Sequence, residues 1–452
     1  MRPVQVGDAA PLVAVKQSGM SRWEALGILM VLAFLNYMDR SLLPPALNSI
    51  KKELGLSGGE AGALATGFFA VYAFTAPLAG YLADRLSRKR ILLFAVVMWS
   101  IVTALSGTAT GFATLLVWRA LTGLGEGGYF PTALSLIGDL FERNQRGKAI
   151  ALHGVCTTLG GASGLALGGV LVGAFGWRMP FFLAIAPGLI LAAVLFVRFQ
   201  EPPRGQKEPA ETPPDGAATA AAAGAARRSY FAIAFSIPVL LISLAACAAA
   251  FSMNAVYTFM PSFLQDAHHL SEGEAGVLTG VAFAATMLGQ LAGGFTSDGL
   301  ANRVAGARPL LVAGAYLLAA PAVLGMAYLP AATLAVAAYA VTQVGRGFAE
   351  PNLYGTVMDS VAAHERGTAQ GFLLAMTFAG STAGPWIAGV LQSASYASPG
   401  HAFVAEHVPL MAGILAQTSY VAMFVALAAA AAVSTACAGL LFVYLRTRRI
   451  AP

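Results

Sequence analysis

Twelve long apolar stretches, each bounded by charged or turn-forming residues, divide the chain at about 23–47, 58–82, 91–109, 113–140, 147–174, 180–198, 233–264, 272–297, 309–328, 331–359, 368–392 and 417–445. Wound as helices, each is long enough to cross a hydrocarbon layer of about 30 Å. A spanning segment must satisfy its backbone polar groups internally, so helices are the expected form. The first run begins near Trp23; it is too long for a signal-peptide core and no cleavage site follows it, so it reads as a retained span. Between the sixth and seventh runs lies Glu201 to Arg228, rich in Ala, Pro and Gly, which reads as a loose linker and not a domain. The pattern predicts a tail (1–22), a six-helix half (23–200), a linker (201–230), a second six-helix half (231–445) and a short tail (446–452).

The halves repeat one another. Leu56-Ser57-Gly58-Gly59-Glu60-Ala61-Gly62 returns as Leu270-Ser271-Glu272-Gly273-Glu274-Ala275-Gly276, and Gly80–Asp84 returns as Gly294–Asp298, both at a spacing of 214 residues. Further on the spacing is 220: Pro131/Pro351, Asp139/Asp359, Arg146/Arg366, Gly160/Gly380, Gly164/Gly384 and Gly169/Gly389. A short insertion before the tenth span accounts for the change. Two homologous six-span halves imply a pseudo-two-fold axis with a site between them near the midplane, one half rocking against the other.

Composition fixes the setting. Hydrophobic residues make up 57% of the chain and charged residues 11%, with mean hydropathy +0.70; a soluble domain carries about a quarter charged residues. The net charge of +6 is a topology signal. Of 27 Lys and Arg, only Lys51, Lys52 and Arg178 fall on the side away from the termini, with Arg40, Arg119 and Arg346 inside spans. Both termini and the linker are therefore expected in the cytoplasm of a multi-pass protein of the plasma (bacterial inner) membrane. Cys156, Cys247 and Cys437 lie in apolar segments without metal-ligand spacing and read as small buried residues. No metal set, nucleotide loop or nucleophile triad is present in the pattern, so no enzyme, cofactor or nucleic-acid partner is expected.

The fourth apolar run nonetheless carries Arg119 and Glu126, two helical turns apart and so on one side. Charges at membrane depth cost roughly 2.5–3.5 kcal/mol each on insertion scales and need a partner or an aqueous cavity. The glycines of Gly123-Leu124-Gly125-Glu126-Gly127-Gly128 keep that surface thin. Asp39 and Arg40 lie well inside the first span, before the Leu43-Pro44-Pro45 kink, about 100° apart on the helix, so that one or both should reach Arg119 or Glu126. Span ten adds Arg346 and Glu350, whose i, i+4 spacing suits either an internal ion pair or a clamp on a ligand. The repeat spacing sets Arg346 across the axis from Glu126. The alternative is a charge network that only holds helices together.

These residues resemble a known family. Gly80-Tyr81-Leu82-Ala83-Asp84-Arg85-Leu86-Ser87-Arg88-Lys89-Arg90 is similar to the signature loop of the major facilitator superfamily. That resemblance implies an all-α fold of twelve transmembrane helices in two pseudo-symmetric halves. It implies a conformational latch at Gly80, Asp84, Arg85, Arg88 and Lys89 with Asp139 and Arg143. The second-half copy keeps only Arg303 of the basic run, so the latch is expected to be asymmetric. Asn36-Tyr37-Met38-Asp39-Arg40 and Arg119–Pro131 resemble motifs of the anion:cation symporter branch. The same features, with Glu201-Pro202-Pro203-Arg204-Gly205, also resemble Spinster-like lipid transporters. The Gly-Pro of drug:proton antiporters is not kept in the fifth span, where Leu165 stands in the Pro position.

What the branch implies is proton-coupled symport of a small organic anion, a sugar acid or an aromatic carboxylate. Asp39 and Glu126 are then the proton-coupling residues. Arg40 and Arg119 then bind substrate; the repeat spacing, not the branch, adds Arg346, and a polar place on inner spans adds Tyr37, Asn254, Tyr257 and Asn352, with Tyr72, Gln290 and Thr382 as weaker candidates. A buried carboxylate beside an arginine is balanced between desolvation and attraction, so changing water access can change its protonation. Protonating it frees the arginine, whose planar fork suits a carboxylate. His153 is expected to be structural, and the protein a monomer in the bilayer. The alternatives are a Spinster-like lysolipid carrier or proton-coupled exporter, and a non-transporting sensor.

Overall fold

The computed structural model describes residues 20–83, 85–204, 230–301, 303–304, 306–362, 365–393 and 419–450. Among them sixteen helices follow in order: α1 (Arg22–Arg40), α2 (Leu43–Leu54), α3 (Gly58–Ala83), α4 (Arg88–Ser106), α5 (Phe112–Gly127), α6 (Tyr129–Leu140), α7 (Arg143–Phe175) and α8 (Arg178–Arg198) in the first half; α9 (Tyr230–Ala234), α10 (Ile237–His268), α11 (Glu272–Ala284), α12 (Thr286–Ala301), α13 (Ala307–Met326), α14 (Ala332–Ser360), α15 (Arg366–Ser393) and α16 (Ser419–Ile450) in the second. Ten stretches are long and apolar enough to cross a membrane. The two remaining span-length stretches, α5 with α6 and α14, are the ones that carry Arg119 and Glu126, and Arg346 and Glu350. The architecture is the expected all-α membrane bundle.

The expected first span is two helices. α1 stops at Arg40, where Ser41 N–H donates to Met38 O at 3.0 Å, and α2 restarts with Pro44 and Pro45 in its first turn. There a missing N–H costs nothing. The break sits immediately after Asp39 and Arg40 and so lies at the candidate site.

The repeated Leu-Ser-x-x-Glu-Ala-Gly motif has a local cause. Ser57 N–H donates to Glu60 Oε2 at 2.9 Å and Glu60 N–H to Ser57 Oγ at 3.2 Å. Ser271 and Glu274 repeat the pair at 2.9 and 3.3 Å. These are capping boxes, each satisfying two orphan N–H groups at the start of a span. The glycine that ends the motif serves packing. A Cβ on Gly276 of α11 would stand 2.6 Å from Leu165 O and 2.8 Å from the Gly169 Cα of α7. Gly62 of α3 meets the α15 backbone at Pro385 in the same way. Both seams join one half to the other at the end of the molecule opposite the Arg-rich loops.

At the basic end each half carries its own clamp. Arg88 pairs with Asp139 and, at the 220 spacing, Arg308 pairs with Asp359 at 2.6 Å. This corrects the expectation that the second half retains only Arg303: Arg308 restores the charge, and the insertion falls in the α12–α13 loop. The asymmetry lies in the linker. Glu201 accepts from Ser87 Oγ at 2.6 Å, from Arg88 N at 3.0 Å and from Arg88 Nε at 3.1 Å. Arg204 donates to Ala83 O and Leu86 O at 2.8 and 2.7 Å. An acid thus sits at the N-terminus of α4 and a base at the C-terminus of α3, as their dipoles favour. Burial alone would push the Glu201 carboxyl up, but donors from Ser87, Arg88 and Lys89 outweigh it and hold it below the ordinary glutamate value. The opening of the linker is therefore a strap across the signature loop; the rest, 205–229, lies outside the described residues.

Candidate functional site

Arg40, the last residue of α1, turns its guanidinium toward α5. Nε and Nη2 each stand 3.0 Å from Glu126 Oε2. The guanidinium also lies over the rings of Tyr37, Phe68 and Tyr72 at 4.5, 4.8 and 4.9 Å. Such cation–π contacts contribute about 0.5–2 kcal/mol each and keep the charge near low-dielectric walls. Glu126 is fully buried, and Gly125 beside it lies against the Trp99 backbone of α4. The expectation that one of the first-span charges reaches Glu126 is met by Arg40.

Arg119, two turns before Glu126, is 2% exposed and stands 5.2 Å from the Phe68 ring. Its Nε and Nη1 make no hydrogen bond with a described protein group. Asp39, 1% exposed, lies within electrostatic reach of Glu126, Arg119 and the Trp99 indole. A buried donor without a partner costs about 1–3 kcal/mol, more when charged. A buried fork with two idle donors is therefore a place where an anion gains more than it would in water.

The second half supplies the facing wall. Within that half a cavity is lined by Asn254, Tyr316, Arg346, Glu350, Tyr354 and Thr377 together with apolar residues. Arg346 and Glu350 form no ion pair with each other. Glu350 instead accepts from Gln290 Nε2 of α12 at 3.2 Å, and the Arg346 guanidinium stands 5.8 Å from the Phe283 ring. Tyr354 lies within electrostatic reach of Tyr37 and Tyr72, so the two walls face one another. Asn254 is oriented by Ser381 at 3.0 Å.

Other expected residues are engaged elsewhere. Asn352 is fully buried and donates to Phe348 O at 2.8 Å and Gly293 O at 3.4 Å, tying α14 to α12 and not lining the cavity. Tyr257 donates to Ser41 Oγ at 2.5 Å, bridging the halves at the α1–α2 break. Thr382 offers its carbonyl to Thr66 Oγ1 at 2.6 Å. His153 is 2.6 Å from Tyr129 OH, whose own proton goes to Leu29 O at 2.6 Å, so the imidazole donates and the pair is an internal brace. Of the latch, Gly80 faces Pro131, Arg85 stacks on Tyr81 at 3.6 Å, and Lys89 Nζ donates to Phe196 O at 2.8 Å. Asp84 and the Arg143 side chain lie outside the described residues. The sequence reading missed the Phe68 platform, although Phe68 and Tyr72 stand one turn apart, and it missed the Gln290–Glu350 bond, which no spacing announces.

At the end away from the basic loops the halves are bolted together. Asn48 donates to Asp266 Oδ1 at 2.8 Å, Tyr420 OH to Asp266 Oδ2 at 2.7 Å, Gln392 Nε2 to Tyr420 OH at 2.7 Å, and Lys51 Nζ to Gln392 Oε1 at 3.4 Å. Ser49 bonds Glu272 beside them. The far end is thus held together by side-chain bonds between the halves.

The comparisons agree with this geometry. A crystal structure of a bacterial homologue of the human lysosomal transporter Spinster, inward-facing and unoccupied, superposes with TM-score 0.78 at 24% identity, over 94% of this chain and 97% of that one. A D-xylose–proton symporter structure gives 0.68 at 16% identity, over 90% and 95%. Among curated sequences, the hexuronate transporter of Bacillus subtilis is 32% identical over 264 residues, 58% of this chain and 61% of the relative. Protein spinster homolog 1 of Xenopus laevis is 38% identical over 186 residues, 40% and 35%. The alignments thus span about a third to three fifths of these relatives' own length. The Major Facilitator Superfamily profile matches residues 29–385 and 243–451. Two repeated halves, with that profile across nearly the whole chain, make this protein a member of the Major Facilitator Superfamily of membrane transporters.

Proposed function

We propose that the protein is a proton-coupled symporter of a small organic anion, working by alternating access. The observation that carries this reading is Arg119: a buried guanidinium with idle donors, beside a second arginine already held by Glu126. Arg40 and Arg119 of the first half and Arg346 of the second are matched in number by Asp39, Glu126 and Glu350, so the ionised charges of the two walls balance. An anion entering alone would leave a net negative charge at membrane depth, which is costly. One proton on Asp39 or Glu126 cancels it. Proton and anion therefore favour the same loaded state, and each raises the affinity for the other. Asp39 and Glu126 are the proton carriers in this scheme; Arg119 binds the anion, with Arg40 released to it when Glu126 is protonated.

The positive-inside rule makes the basic end cytoplasmic, so the bolted end faces outward. Import follows when the far-side bolts open on a loaded carrier. The similarity to a hexuronate transporter over more than half the chain supports a carboxylated substrate. The second reading, an amphiphile carrier, is favoured by the spinster relatives and the inward-facing Spinster-like fold. It requires more apolar inner walls than ones that carry Arg40, Arg119 and Arg346.

Purified protein in liposomes with an external pH dye tests the choice. Adding a sugar acid or an aromatic carboxylate outside should alkalinise the medium in wild type and not in D39N or E126Q, while E126Q retains substrate exchange. Accumulation of anion against a gradient by E126Q would refute the coupling assignment. A response to lysolipid alone would install the second reading.

A further inference from the structure

We infer that Glu350 is a second recognition pole in the cavity, and that it restricts the substrate to hydroxylated acids over aromatic carboxylates. The inference rests on the symport reading above and deepens it.

Arg346 and Glu350 are one helical turn apart, the spacing at which such a pair ordinarily closes on itself. Here they stay apart. Glu350 is drawn to α12, where Gln290 Nε2 donates to Oε2 at 3.2 Å. Arg346 is left over the Phe283 ring at 5.8 Å. Both line the cavity, half-buried, with Asn254 and Tyr354 beside them. A carboxylate is acceptor-only, and one bond from an amide leaves most of its lone pairs unused. The wall thus presents a cation and, about 6 Å along the helix, a pure acceptor.

An aromatic carboxylate matches the arginines but carries no donor for Glu350, and it would strip water from a carboxylate without replacing it. A sugar acid spans both poles: its carboxylate meets the Arg346 guanidinium and a hydroxyl donates to Glu350. Hydrogen bonds to a charged group change affinity by about ten- to hundredfold. An ammonium would also satisfy Glu350. A zwitterion, however, is neutral and needs no proton to balance it in this cavity, which conflicts with proton coupling.

The test is competitive binding and proton-coupled uptake by the full chain in liposomes, using D-glucuronate, benzoate and L-serine as probes. Wild type should prefer D-glucuronate over benzoate by at least about tenfold. E350Q should erase most of that preference, weakening D-glucuronate while benzoate, relieved of desolvating the carboxylate, does not weaken. Q290L, which keeps the carboxylate but frees it, should give an intermediate ratio. The readout is a ratio within one preparation, so a loss of folded protein does not imitate it. Equal wild-type responses to D-glucuronate and benzoate, an unchanged ratio in E350Q, or a dominant response to L-serine would each overturn the inference. If neither acid moves protons in wild type, it is the symport reading that fails, and this one with it.

Discussion

The seam between α7 and α11 allows one perturbation to be worked through. In G276A the new Cβ would stand 2.6 Å from Leu165 O and 2.8 Å from Gly169 Cα. Both are backbone positions, so no rotamer change relieves the clash and the two helices must part. Overpacking of this kind costs about 1–3 kcal/mol. On the alternating-access reading proposed above, the cost falls on the state in which the far end is closed, because opening that end would separate α7 from α11. The balance between the two states should therefore move toward the open form by roughly fivefold to more than a hundredfold. Spin labels at Lys52→Cys and Ala267→Cys, in a background with the three native cysteines replaced, report the distance between halves by double electron–electron resonance. The long-distance population should rise in G276A. It should not rise in G314A, where the added Cβ meets nothing within 4 Å. A distribution unchanged in G276A, or shifted equally in the control, would refute the reasoning.

Three further outcomes follow. R119K keeps the charge but loses the fork, and should lower anion-driven proton uptake by about tenfold to a hundredfold in the liposome assay; near-normal uptake would remove Arg119 from the anion site. The strap formed by Glu201 should show in thermal melting: because its folded pKa lies below the ordinary glutamate value of 4.5, its stabilisation is full above that pH and declines as pH falls below it. E201Q should thus lower Tm at pH 7 and converge with wild type at acid pH; parallel curves would contradict this. Y257F removes the bond to Ser41 that joins the halves at the helix break. It should raise exchange at the far end without changing substrate preference, and a changed preference would place Tyr257 among the ligand contacts instead.

The relation between chain and structure differs from residue to residue. Hydropathy runs are a local property, and apolar runs of about twenty residues satisfy their backbone in a bilayer as helices, so the spans were legible. The repeat was legible too, and capping chemistry explains part of it: Ser57 with Glu60 and Ser271 with Glu274 act over three residues. Arg119 and Glu126 announced themselves because charge at membrane depth is expensive wherever the helix packs. Their partners were less clear. Helix geometry allowed Asp39 or Arg40 to reach Glu126, and in the folded protein it is Arg40 that pairs with it, at the α1–α2 break.

Sequence alone thus determined what each segment must be: helix, span, cap, or charge that cannot face lipid. Only the tertiary structure decided who meets whom. Arg346 and Glu350 were suited to each other by spacing, yet Gln290, on another helix, holds Glu350 away. Asn352, a polar residue on an inner span, was spent on the backbone of α12. Arg308 completed a clamp whose basic run had seemed lost, because the insertion displaced it along the chain and not in space. Local propensity and hydropathy act over a few residues and can be read in order. Pairing energies depend on distances between segments far apart in sequence, and those exist only once the halves have packed.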